Sequence, residues 1–128
     1  MNRNKMKRLT FISILILLLT SCSHTKWSTT DKMLYGSVIV SQITDGLTTQ
    51  NLLEKGHHIN SKWSWKYGTD KPSKQKLWLV KTTELGTCYL IADHLPSSLR
   101  KIFLFGTSSL LTYYTMKNRK AGASISIP

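Results

Sequence analysis

The sequence predicts an all-α fold: a small bundle of about three membrane-associated helices, residues 33–53, 73–95 and 98–117, behind a cleaved N-terminal signal. Three observations lead there. The first 22 residues have the layout of an export signal. Three long stretches low in charge follow, punctuated by Gly56, Pro72-Ser73 and Pro96. Basic residues gather in the segments between and after those stretches rather than evenly along the chain.

Arg3, Lys5, Lys7 and Arg8 form a basic head, Leu9 to Leu19 an apolar rod, and Thr20-Ser21 a small-residue exit before Cys22. These are the parts of a secretory signal. The rod has 11 residues, too few for a hydrocarbon core of about 30 Å, which takes about 20 as a helix. Leu19-Thr20-Ser21-Cys22 resembles the bacterial lipobox. That resemblance implies removal of residues 1–21, acylation of Cys22 with fatty acids such as palmitate, and a lipid-anchored mature chain. The alternative is an uncleaved N-terminal membrane helix with an incidental cysteine.

The mature chain would have 107 residues, enough for one small domain. The formal net charge of +12 invites a nucleic-acid reading. Four of the 18 basic residues lie in the signal, however, and no helix-turn-helix, zinc or RNA-binding signature is present. Nucleic acid is therefore not an expected partner; membrane lipid and another envelope protein are. With Cys22 acylated, Cys88 lacks an intramolecular partner and behaves as a small hydrophobe. No disulfide framework supports the chain, and a bilayer is the expected source of stability.

Residues 22–32 read as a polar tether, with Asp31 as the expected cap of the first helix. In residues 33–53, Ser41, Gln42, Asp45, Thr48, Thr49 and Leu52 share one sector of a helical wheel. Ile39, Val40, Ile43 and Leu47 oppose them. An ionised Asp at a span centre costs roughly 2.5 to 3.5 kcal/mol, so the polar sector must face helices or water. A water-exposed amphipathic helix with its apolar side inward would show the same stripe. Gly56 ends this helix and His57-His58-Ile59-Asn60 reads as loop. Trp63, Trp65 and Tyr67 alternate with Ser64 and Lys66, as at a membrane–water boundary. A short strand or turn with one aromatic face is the alternative.

In the second helix, 73–95, Lys81 and Glu84 share a face with Cys88. Pro96 ends it, and Ser97 or Ser98 is the expected cap of the third. The third helix, 98–117, carries Gly106, Thr107, Ser108, Ser109 and Thr112, small surfaces for close packing. Residues 118–128 form a basic, then uncharged, tail.

Acylated Cys22 must lie outside the cytoplasmic membrane. Three spans then leave residues 54–76 and the C-terminus inside. Those segments carry six lysines and the trio Lys117, Arg119 and Lys120. The outer segments hold only Lys26, Lys32, Arg100 and Lys101. This follows the positive-inside rule. Ser23 after the cysteine would permit sorting to the outer membrane, whereas spanning helices would hold the chain in the inner one.

No catalytic constellation, cofactor loop or metal set is present: no GxSxG, SxxK or glycine-rich phosphate loop occurs. His57-His58 lacks neighbouring ligands and reads as solvated. Asp93-His94, at a helix end, reads as exposed. Asp45, Lys81 and Glu84 form the one candidate polar cluster, an ion path or, as preferred here, a pairing that locks the helices.

Asp45-Gly-Leu-Thr48-Thr49, then Gly56 and Asn60, resembles a pattern in small bacterial membrane proteins of unknown function, although Ser61 stands where that pattern has proline. Pro72-Ser73 and residues 117–122 resemble short phage- and prophage-encoded lipoproteins. The resemblance implies a helical membrane domain without known activity. The expected function is therefore a non-enzymatic, lipid-anchored envelope protein acting by contact, which in a phage or prophage setting means superinfection exclusion. The alternatives are a lysis protein resembling a single-chain spanin and a small transporter or channel subunit. The oligomeric state is left open.

Overall fold

The computed structural model describes residues 26–125 and, apart from them, Ile12. The signal and Cys22 lie outside the described residues, as do 23–25 of the tether and 126–128 of the tail. Among the described residues from 26 onward four helices follow in order: α1 (Thr29–Glu54), α2 (Ser61–Ser64), α3 (Lys74–His94) and α4 (Ser97–Lys120). No strand occurs among the described residues.

Each boundary has a local cause. Ser28, not Asp31, caps α1: its hydroxyl accepts from the Asp31 amide at 3.1 Å, and the Asp31 carboxylate accepts from the Ser28 amide at 2.9 Å. Two reciprocal bonds make a capping box, which the serine wins because the acid sits at its third helical position. The helix therefore starts inside the stretch expected to be tether. Gly56, at φ +88°, stops it. The Gly56 and His57 amides donate to the Leu53 and Leu52 carbonyls, a Schellman closure. Gly122, at φ +100°, repeats the device at the end of α4, with Gly122 and Ala123 donating to Arg119 and Asn118.

Ser73 caps α3, its hydroxyl accepting from Lys76 at 3.3 Å. Leu95 is pushed into extended backbone by the following proline. Pro96 itself occupies the N-cap position of α4, without a side-chain cap bond, so neither Ser97 nor Ser98 caps. Ser97 is already helical and accepts from Lys101. The aromatic alternation is not a strand. A helical turn capped by Asn60 leaves Trp63 and Trp65 exposed, while Tyr67 is buried.

The chain reverses twice, so α1 and α4 run parallel with α3 antiparallel to both. Among the described helices the α1–α4 seam is the most extensive. Hydroxyls zip it: Ser37 to Ser108 at 2.5 Å, Ser41 to Ser108 at 3.2 Å, and Ser41 to Thr112 at 3.3 Å. Small side chains permit that approach. Gly106, expected to do the same, faces open space. Against α3 the close point is Gly46, where a Cβ would sit 2.8 Å from the Trp78 ring.

The interior is inverted in polarity. Its apolar cluster is small: Val38, Cys88, Ala92 and Leu104. Asp31, Ser41, Gln42, Asp45, Thr48, Lys81, Arg100, Ser108 and Thr115 are buried beside it. Val40, Ile43, Leu79, Leu90, Ile102, Phe105 and Met116 are exposed. The polar sector of α1 thus faces its neighbour helices and its apolar sector faces outward. No described helix is long and apolar enough to cross a membrane.

Candidate functional site

The polar face of α1 and one face of α3 meet at mid-bundle. The Lys81 ammonium pairs with the Asp45 carboxylate, both side chains almost wholly buried. Glu84, a turn further along α3, lies 4.0 Å from the same ammonium. Gln42 bridges the helices, donating to Glu84 at 2.9 Å and to the Lys81 carbonyl at 3.2 Å. Lys66, from the loop after α2, donates to the other Glu84 oxygen and lies 4.7 Å over the Trp63 ring. From α4, the Asn118 amide reaches Thr48 and Thr49, both at 3.1 Å, and Asp45 at 3.4 Å. All three helices and the loop therefore converge on one charge network.

The three sequence-named residues, Asp45, Lys81 and Glu84, are brought together here. Gln42, Thr48 and Thr49 were legible as members of the same wheel sector. Lys66 and Asn118 were not identified, because one sits in a loop and the other in a basic run. Buried Tyr67 closes the network from below. Burial raises its hydroxyl above the ordinary 10.0, and the negative charges of Glu84 and Asp45 add to the effect, so it stays protonated.

Beside this network lies a cavity of about 450 Å³ between α1, α3 and α4. Asp45, Lys81 and Glu84 form part of its wall, with Val38, Leu52, Leu53, Leu85, Leu110 and Leu111 among the apolar groups and Gln42, Thr49, Asn60 and Asn118 among the polar ones. His57 and His58 stand at its edge. His58 Nδ1 lies 2.7 Å from the Asp70 carboxylate. Among the described residues no group of three His, Cys, Asp or Glu side chains could hold a metal ion.

A second buried pair, not identified from the sequence, closes the opposite end. Arg100 and Asp31 are 0 % exposed and 3.2 Å apart. The guanidinium also donates to the carbonyls of Ala92 (2.8 Å), Leu95 (3.1 Å) and Asp93 (3.4 Å), and it stacks on Trp27. These are the acceptors a helix C-terminus leaves over. Arg100 had been expected among the outer segment's flanking charges; it is instead a buried clasp between α1, α3 and α4. Trp27, expected in the tether, is part of it and donates to Asp93 at 2.8 Å.

Against protein-family models, curated proteins and solved structures, the chain shows no match.

Proposed function

We propose that this chain is a non-enzymatic, lipid-anchored envelope membrane protein, acylated at Cys22, whose helical bundle sits in the bilayer and acts by contact with another envelope component. One observation carries the reading. Across residues 33–53, 77–92 and 102–116 the only charged side chains are Asp45, Lys81 and Glu84, and all three turn into the bundle's charge network. The outward face of that band is without charge, whereas about a quarter of residues in an ordinary soluble domain are charged. Hydropathy averages a whole helix, but a bilayer meets only its outer face.

The outward threonines agree. Thr82, Thr83 and Thr87 donate to the carbonyls of Trp78, Leu79 and Thr83, each at 2.8 Å. Thr44 likewise bonds to Val40. A hydroxyl facing hydrocarbon has to be satisfied by its own helix; one facing water does not.

Every carboxylate of the central network has a cation or amide donor within the bundle, which favours a lock over an ion path. α1 begins at Thr29, seven residues after Cys22, which argues against the long periplasmic reach of a spanin. The test is extraction. The mature chain, residues 22–128, stripped of its acyl groups, should remain in the membrane fraction through alkaline carbonate and require detergent to become monodisperse. A monodisperse sample in plain buffer overturns the reading. Expression that blocks phage adsorption or DNA injection would identify the contact role as exclusion, and abrupt lysis would restore the spanin.

A further inference from the structure

The cavity beside the central network is too large and too apolar to serve that network alone. At about 450 Å³ it falls in the range of small-molecule sites, roughly 300–1,000 Å³, which are walled by apolar groups with a few polar ones. On α1 its wall runs from Val38 to Leu53. The 15 residue steps from 38 to 53 correspond to about 22 Å of helix, ample for an acyl chain that spans half of a hydrocarbon core of about 30 Å. Leu85, Leu110 and Leu111 continue the wall on α3 and α4.

A second space adjoins the cavity from the side. α3 and α4 touch each other far less than either α1–α4 or α1–α3. A second cavity of about 530 Å³ opens between them, with Trp65, Leu79, Ile91 and Phe103 in its wall. The two spaces share Lys66, Glu84 and Cys88.

Charge identifies the other end of the ligand. Lys81 and Lys66 answer Asp45 and Glu84. Lys117, in the last turn of α4, also lines the cavity but has no ion-pair partner among the described residues. It therefore leaves one positive charge uncompensated where the cavity reaches the basic α4 terminus.

We propose that the cavity between α1, α3 and α4 binds one acyl chain bearing an anionic headgroup. The chain lies among Val38, Leu85, Leu110 and Leu111, and the headgroup sits at Lys117. The proposal relies on the bilayer reading only for the ligand's sideways route; the site itself is a property of the bundle.

Native mass spectrometry of the detergent-purified full-length protein, titrated separately with phosphatidylglycerol, phosphatidylcholine and palmitate, tests it. The expected result is a single adduct that favours phosphatidylglycerol over phosphatidylcholine by about fivefold, the weight of one juxtamembrane cation. Lys117→Gln should remove that preference. Leu111→Trp, which fills the cavity, should abolish the adduct. Leu110→Trp, at a position 52 % exposed, repeats the block where a larger side chain does not challenge folding. Palmitate binding on a par with phosphatidylglycerol supports the site with a free fatty acid as its source; weaker palmitate binding supports a lipid. Equal binding of the two phospholipids, or an adduct that survives both tryptophans, overturns the proposal. Should the extraction experiment fail, the palmitate arm in plain buffer still decides the cavity on its own.

Discussion

The two buried ion pairs tie α1 to different helices, Asp31 to α4 and Asp45 to α3, toward opposite ends of the bundle, and they are built for different purposes. Asp31–Arg100 is sealed, with both side chains 0 % exposed. Its planar guanidinium spreads over a carboxylate, three carbonyls and the Trp27 ring. Asp45–Lys81 uses a point charge instead, has Glu84 as a second partner, and borders a cavity. A delocalised fork suits a fixed clasp, and an ammonium suits a site whose partners can rearrange. The bundle is thus pinned at the Trp27 end and open to adjustment at the Tyr67 end.

The largest effect should come from breaking the clasp. Arg100→Met leaves Asp31 charged and buried with only the Lys101 ammonium, 3.8 Å from its other oxygen, for a cation, and strips the α3 terminus of its donors. A loss of about 3–5 kcal/mol is expected, read as a fall in the melting temperature of the detergent-solubilised protein. Adding Asp31→Asn should recover little, because the Ala92, Asp93 and Leu95 carbonyls still lack the guanidinium. Full recovery in the double variant would show that the charge pair, not the helix terminus, was being served.

Asp45→Asn should cost less, about 2 kcal/mol, since Lys81 retains Glu84 and the Asn118 bonds to Thr48 and Thr49 persist. Here the double variant with Lys81→Met is expected to return most of the loss, because an apolar substitute of similar volume replaces a buried pair at little net cost. If this pair behaved like the first, with a large loss and no recovery, the contrast between the two ends would collapse.

The contrast also explains what the sequence revealed. Helix ends were legible wherever one residue dictates them: Gly56, Ser73 and Pro96 act within their own turn. The central site was legible because an acid without apolar context stood inside a polar wheel sector, and Lys81 and Glu84 repeated the anomaly in the next helix. The clasp was not. Asp31 and Arg100 are 69 residues apart, and each has a plausible local role, as a helix cap and as a flanking charge. Only packing reveals that both are interior. The capping box hid in the same way, since Ser28 and Asp31 are both good caps and the winner depends on where the chain enters the helix. The all-helical class and the approximate helix bounds were set by local patterns; the depth of each charge was set by tertiary contacts, which periodicity does not encode.

A third pair calibrates the scale. His58 and Asp70 bridge the loop between α1 and α3 with both side chains more than half exposed. The Asp70 carboxyl is held below its ordinary 3.8, first by the hydrogen bond to His58, against the opposing effect of burial. A carboxyl with a depressed folded pKa contributes stability above its unfolded value, and that contribution is lost as pH falls through the folded value. The melting-temperature difference between the parent and Asp70→Asn should therefore be small but steady well above pH 3.8, and shrink as pH falls toward that value and through the lower folded one. The same titration on Asp31→Asn with Arg100 intact should show a much larger gap, since there the acid is sealed. Equal gaps for the two acids would mean that solvent reaches Asp31, and the pinned end of the bundle would then be no tighter than its loop.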